Sequence, residues 1–172
     1  MLKLERLSEE WRDIMRRKDR EISDLSEIES IIQRADICRL AFCDRGKPYV
    51  VPLCFGYRRG ALYFHSAREG RKLDMLRNNR LVCFEMDIDQ ELIRSIDRCS
   101  MRYRSVIGSG LARIVEERDV MAEALDLIMR HYRQETFIYS EETLERMVII
   151  KVEIEELTGK AYGYGFYQDP AL

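Results

Sequence analysis

The sequence predicts a mainly β fold, an antiparallel β-barrel with peripheral helices packed outside it. Three observations carry this. Six stretches have strand length and strand-like patterning, and the first three are joined by short turns containing glycine. Only a few helical stretches interrupt them, each with one apolar face. The length of 172 residues and hydrophobic content of 46% suit one domain with a sizeable core. Closing such a sheet removes its edges and leaves a mouth for a ligand.

Residues 1–20 form an amphipathic N-terminal extension. Leu4, Leu7, Trp11, Ile14 and Met15 recur at helical spacing, and that apolar face needs the domain or a partner subunit to lie on. Arg16-Arg-Lys-Asp-Arg20 reads as a solvated run. The barrel domain spans 21–160, with 161–172 as a C-terminal tail. Ser26-Glu-Ile-Glu29 matches a capping box and opens a helix to Ala35, with Ile28, Ile31, Ile32 and Ala35 on one face. Residues 36–43 form the first strand, Asp44-Arg-Gly-Lys47 a hairpin turn, 48–55 the second strand and 61–66 the third. A short helix covers 71–78 and a fourth strand 81–87; the polar, aperiodic stretch 88–99 reads as a loop. A long strand covers 101–116, where Gly108 and Gly110 predict a bulge or bend. A helix over 119–133 turns Val120, Ala124, Leu127 and Ile128 to the core, and Ser140 caps another short helix. The last strand is 147–154, and the chain from Thr158 onward reads as loosely held.

Charge and composition exclude several classes. Lys and Arg number 29 against 31 Asp and Glu, which argues against a nucleic-acid binder; only the run from Arg16 to Arg20 speaks for one. No apolar run approaches the roughly 20 residues of a membrane helix, and the charged N-terminus has no apolar signal core. A cytoplasmic protein without a membrane partner is expected. The five cysteines, Cys38, Cys43, Cys54, Cys83 and Cys99, form no CxxC pair and read as free, buried thiols in a reducing compartment. With only two histidines, His65 and His131, no metal site is expected.

Two stretches carry chemistry. Arg68, Arg71 and Lys72 gather where the 71–78 helix begins, although a helix N-terminus disfavours cations. An anion among them resolves the conflict: free backbone N–H groups, the helix dipole and the cations make a phosphate site, to which Ser66 adds a hydroxyl. A solvated basic turn is the plainer reading. In the second strand, Pro52 cannot donate to a ladder, so this point is an edge, a bulge, or a place where a flat ligand lies against the backbone of Val51, Pro52, Leu53 and Cys54.

With those residues in view, the chain resembles the pyridoxamine 5'-phosphate oxidase-like FMN-binding split barrels, and within them the 5-nitroimidazole resistance proteins. The matching pieces are Met15-Arg-Arg-Lys-Asp-Arg-Glu21, Cys38-Arg-Leu-Ala41, Gly46-Lys-Pro-Tyr-Val-Val-Pro-Leu53, Leu62-Tyr-Phe-His-Ser-Ala67, Gly70-Arg-Lys72, Val82-Cys-Phe-Glu85, Tyr103-Arg-Ser-Val-Ile-Gly108 and Leu157-Thr-Gly-Lys160. The resemblance implies an antiparallel split barrel and a homodimer with two FMN molecules at the subunit interface. It places Val51, Pro52, Leu53 and Cys54 along the isoalloxazine, His65 and Ser66 near the ribityl-phosphate, and Arg71 and Lys72 on the phosphate. Tyr103, Arg104 and Ser105 come from a neighbouring strand or the partner subunit. It implies an FMN-dependent oxidoreductase that passes electrons from NADH or NADPH to a small aromatic such as a 5-nitroimidazole. His65 is the candidate catalytic proton donor or a cofactor contact. The Arg-x-His motif that binds substrate in pyridoxamine 5'-phosphate oxidases has no counterpart between Tyr162 and Leu172, which speaks against vitamin B6 oxidase activity. A non-catalytic barrel that holds flavin or haem is the alternative.

Overall fold

The structure, a computed structural model, describes residues 15–94, 99–135 and 138–163. After a 3-10 turn at Lys18–Arg20 come β1 (Glu21–Ile22), α1 (Leu25–Arg34), β2 (Cys38–Asp44), β3 (Lys47–Leu53), β4 (Gly56–Arg58), β5 (Ala61–Ala67), α2 (Arg71–Asn78), β6 (Leu81–Arg94), β7 (Cys99–Val115), α3 (Arg118–His131), α4 (Glu141–Glu145) and β8 (Met147–Tyr162). All pairings are antiparallel, in the order β3-β2-β6-β7-β8-β5-β4, with β1 added to β8. The mainly β, split-barrel prediction holds. Full closure does not: β3 and β4 end the order and do not pair with each other. Pro48 and Pro52 on β3 have no N–H to give to a further strand.

Two tight turns set the first hairpins. Arg45 (φ 49°) and Gly46 (φ 74°) join β2 to β3; Arg59 (φ 49°) and Gly60 (φ 74°) join β4 to β5. Two successive left-handed residues match the twist of the strands they join. Arginine is strained there, whereas asparagine tolerates it. Arg45→Asn is therefore expected to stabilise the fold by about 0.5 kcal/mol, read as a higher urea midpoint at unchanged slope.

The barrel interior is filled by Leu40, Phe42, Leu62, Phe64, Phe84, Met86, Val106, Ile150 and Val152, and α1 sets Ile28, Ile31 and Ile32 on it. A second cluster lies on the other side of β5 and β8, where Ala61, Tyr63 and Ile149 meet Met121, Ala124 and Leu125 of α3 and Leu144 of α4. Residues 61–64 of β5 are thus buried on both faces.

Several expectations need correction. The N-cap of α1 is Asp24, whose carboxylate accepts the Ser26 N–H at 2.8 Å; Ser26 already lies inside the helix. The expected loop at 88–99 is largely strand: β6 continues to Arg94 and pairs with β7, interrupted by a register shift between Ile88 and Glu91 where Asp89 takes φ 59°. Beyond Ile88 this ribbon leaves the core, so burial no longer imposes an alternating pattern. The last strand likewise runs on to Tyr162 against β7, and the chain from Thr158 to Tyr162 is strand rather than loose tail. On α3 the buried face is Met121, Ala124, Leu125 and Ile128, whereas Val120 is exposed. Of the cysteines only Cys38 is buried; Cys43, Cys54, Cys83 and Cys99 are exposed, the first and third at outward strand positions. The bulge predicted near Gly108 and Gly110 is present: Ser109 faces Glu156 and Gly110 faces Ile154, so Glu155 is the extra residue. Ser140 caps α4 through the Thr143 N–H, as expected. The predicted helix at 1–15 and the tail at 164–172 lie outside the described residues. Among those residues no helix is long and apolar enough to cross a membrane, and no group of metal-ligating side chains forms.

Candidate functional site

The split between the two ends of the sheet frames the site. The outer edge of β3 meets no strand. Its Tyr49, Val51 and Leu53 side chains pack inward, and Pro48, Val50 and Pro52 point out. Across the split, β4 covers only residues 61–63 of β5, so that edge of β5 is unpaired from Phe64 to Ala67. Two unpaired strand edges therefore flank the place where α2 begins.

The start of α2 is open. Gly70 at its N-cap has φ 125° and no side chain caps the helix, and a Cβ added there would meet nothing within 4 Å. The first N–H groups of a helix lack intrahelical partners, so they face this open space. The three cations divide. The Arg68 guanidinium donates to the Glu145 carbonyl at 2.7 Å and to the Glu116 carboxylate at 3.0 Å, so it is committed to the fold. Arg71 lies over the Tyr49 ring, 4.4 Å from its centroid, which ties the start of α2 to β3. Among the described residues neither Arg71 nor Lys72 joins an ion pair. Two uncompensated cations at an uncapped helix N-terminus are unfavourable on their own and suit an anion.

His65 lies on the exposed side of β5, opposite buried Leu62 and Phe64. Burial of part of the ring pushes its pKa below the ordinary value, and the Lys72 charge pushes it down further. Without an anion His65 is thus neutral at pH 7. Ser66 is turned inward, 3% exposed, and its hydroxyl donates to the Ala67 carbonyl at 2.8 Å. Cys54 lies just past β3 and is exposed. The start of α2 thus meets β3 through Arg71 and Tyr49 and β5 through Lys72 and His65, with Ser66 turned inward; Val51, Pro52 and Leu53 lie on β3 and Cys54 just past it.

Tyr103, Arg104 and Ser105 lie elsewhere. His65 pairs with Ile149, which pairs with Val115, and Tyr103 lies twelve residues back along β7. At roughly 3.3 Å per residue that is about 40 Å along the strand. Counted from β3 the offset is smaller: Pro52 aligns through Arg39 and Glu85 with Ile107, four residues from Tyr103. At this far end Arg104 binds Asp89 at 2.8 Å, and Tyr103 is paired with Tyr162. The Arg20 guanidinium stacks 3.8 Å from the Tyr162 ring centroid, an aromatic–cation platform that sequence reading missed. Its signal was the Arg-rich stretch 16–20, which reads as solvated when taken alone.

Between the two ends, the outer face of the sheet is apolar. Val50 (58% exposed), Leu81 (52%), Ile107 (51%) and Leu111 (39%) share it with Ala41, Cys43 and Cys83. Much of it lines a groove of about 560 Å³. At its border Arg39 donates to Glu85 at 3.0 Å and to Asp87 at 2.5 Å. Burial, and then the Asp87 charge, hold the Glu85 carboxyl above its ordinary pKa, with Arg39 opposing.

Known proteins agree with this architecture. A family described as pyridoxamine 5'-phosphate oxidase matches residues 24–161. A Bacteroides thetaiotaomicron protein, provisionally named a 5-nitroimidazole antibiotic resistance protein, is 39% identical over 81% of this chain and 85% of its own, at TM-score 0.76. The flavocytochrome Anf3 of Azotobacter vinelandii shares the fold at 19% identity and TM-score 0.74, over 92% of this chain and 78% of its own. So does an FAD and heme binding protein of Mycobacterium smegmatis, at 16% identity and TM-score 0.69, over 84% and 74%. Among curated proteins none matches. With the family aligned from the N-cap of α1 to the end of β8, and a relative of the same fold at 39% identity, this chain belongs to the pyridoxamine 5'-phosphate oxidase family.

Proposed function

We propose that the protein is an FMN-dependent oxidoreductase that works as a homodimer and reduces a small nitroaromatic such as a 5-nitroimidazole. One observation carries the reading: the uncapped start of α2, with Arg71 and Lys72 in no ion pair among the described residues, opens between two strand edges that pair with no described strand. A ligand with a phosphate at one end and a flat ring system at the other fits that arrangement. Arg71, Lys72 and the free N–H groups of α2 hold the phosphate, and the backbone of Val51, Pro52, Leu53 and Cys54 seats the ring. Tyr103, Arg104 and Ser105 serve the flavin bound by the partner. The apolar face with Val50, Leu81, Ile107 and Leu111 is the surface that the two copies share. The nitroaromatic substrate is supported by the 39% identical resistance-named relative.

FMN, when bound, would supply the electron chemistry between NADH or NADPH and the acceptor. The protein holds the proton. His65 is neutral beside Lys72, and a phosphate dianion at Lys72 offsets that cation and raises the His65 pKa toward neutrality, where it serves as general acid. Binding then takes up a proton, so the gain in affinity from His65 grows as pH falls from about 8 to about 6. Protonation of the phosphate itself weakens binding over the same range, equally in both proteins compared. The ratio of FMN affinities, wild type over His65→Gln, is therefore expected to rise severalfold toward pH 6 by fluorescence titration; a flat ratio removes His65 from the phosphate.

The absorption spectrum of the purified protein tests the reading as a whole. Two flavin bands that bleach on anaerobic addition of NADH or NADPH, and return with a 5-nitroimidazole, are expected. A Soret band instead, or a flavin that no nitroaromatic reoxidises, overturns it.

A further inference from the structure

The ring seat proposed above contains a piece of chain that no strand holds. β3 stops at Leu53 and β4 starts at Gly56, so Cys54 and Phe55 belong to neither. Their backbone is held from the side. The Phe55 N–H donates to the Tyr132 hydroxyl at 3.1 Å, and that hydroxyl donates to the Asp36 carbonyl at 2.6 Å. The adjacent His131 donates from Nε2 to the Ala35 carbonyl at 2.8 Å, and its ring packs 4.3 Å from that of Phe55. Phe55 itself is fully buried and reaches Phe64 of β5. Ala35 and Asp36 form the connection from α1 to β2, the strand paired with β3.

The placement of these two side chains follows from how α3 ends. Arg133 takes φ 56°, and the Gln134 N–H closes back on the Met129 carbonyl at 3.0 Å. A left-handed residue at that position stops the helix and fixes the direction of the last side chains. Burial pushes the Tyr132 phenol up, against the pull of the Phe55 amide, so it stays protonated and can both accept and donate.

We infer that Tyr132, backed by His131, is a positioning residue that sets the Cys54–Phe55 backbone against the flavin ring. The inference rests on the reading that FMN occupies the split. The Tyr132 hydroxyl is spent on the Phe55 N–H and the Asp36 carbonyl, so its removal acts through the seat. Removing the hydroxyl leaves the Phe55 N–H and the Asp36 carbonyl without their shared partner. Positioning within a few tenths of an ångström is what such a seat supplies.

The test compares FMN and riboflavin binding to the full-length protein and to Tyr132→Phe, with visible circular dichroism of the bound flavin. Both ligands are expected to weaken about tenfold or more and to the same degree, because the ring and not the phosphate loses its seat. The flavin dichroism is expected to change with them. Tyr57→Phe is the matched control: it removes another half-buried hydroxyl, which donates to Glu29 of α1 at 2.6 Å and not to the Asp36 carbonyl or the Phe55 N–H. Its flavin affinity is expected to stay within twofold of wild type. If Tyr132→Phe does not fold, His131→Leu keeps bulk against Phe55, loses the Ala35 bond, and is expected to weaken both ligands severalfold. Unchanged affinity and dichroism in the folded variants overturn the inference, as does an equal loss in Tyr57→Phe. If the unaltered protein binds no flavin, the reading of the site fails first and the inference with it.

Discussion

Lys72→Glu is expected to weaken FMN binding by two or more powers of ten, about 3 kcal/mol, while riboflavin loses far less. The substitution replaces an attractive charge by a repulsive one where a phosphate would lie. Lys72 is in no ion pair among the described residues, so no structural bridge is broken by the change. An acidic side chain in the first turn of α2 also complements the helix dipole, so the fold is not expected to suffer. The contrast between the two ligands is the decisive part. If riboflavin and FMN weaken equally, the phosphate does not lie at α2. His65 adds a second readout, since losing the Lys72 cation lifts one of the two causes that depress its pKa.

Ile107→Glu is expected to turn the proposed dimer into a monomer at micromolar concentration and to abolish the proposed flavin binding, although Ile107 lies outside the proposed phosphate site. Ile107 lies mid-sheet on β7, between Glu85 of β6 and Thr158 of β8, and is 51% exposed in the isolated chain. A face carrying Val50, Leu81, Ile107 and Leu111 is a large apolar patch for a monomer. In a two-fold interface one substitution appears twice, and each copy buries a carboxylate near Glu85. The dimer constant is expected to weaken about a thousandfold or more, roughly 4 kcal/mol. Flavin loss follows if, as proposed, Tyr103, Arg104 and Ser105 of each chain complete the flavin site of the other. Light scattering and the flavin spectrum read both outcomes. A monomer that keeps its flavin would sink the shared site, and an intact dimer would move the interface to another face.

Much of the fold could be read locally. The two-residue turn at Arg45 and Gly46, the extent of α2, the cap at Ser140 and the bulge near Gly110 depend on neighbouring residues, and local chemistry decided them. The misplaced pieces have different causes. The outer half of β6 lies where the sheet leaves the core, so burial no longer writes a period of two into it. β8 beyond Ile154 stays on the core through Leu157, Gly159 and Ala161, but the bulge at Glu155 shifts the phase and two of these inward residues are too small to mark it. On α3, Val120 and Met121 are neighbours with similar apolar character, and only docking on Tyr63 and Ile149 chose Met121.

The candidate site divides in the same way. The cations at the start of α2 and the proline in β3 conflict with their own local setting, so the sequence by itself determined that something unusual gathers there. Only the tertiary structure decided how each group is used. It commits Arg68 to Glu116 and Glu145, turns Ser66 inward, and leaves Arg71 and Lys72 without ion-pair partners among the described residues. It also brings Tyr132, 77 residues further along the chain, to the Phe55 N–H, and His131 to the Phe55 ring. Periodicity and capping act over a few residues, whereas hydrogen bonds and ion pairs form between whatever the folded sheet brings within about 3 Å.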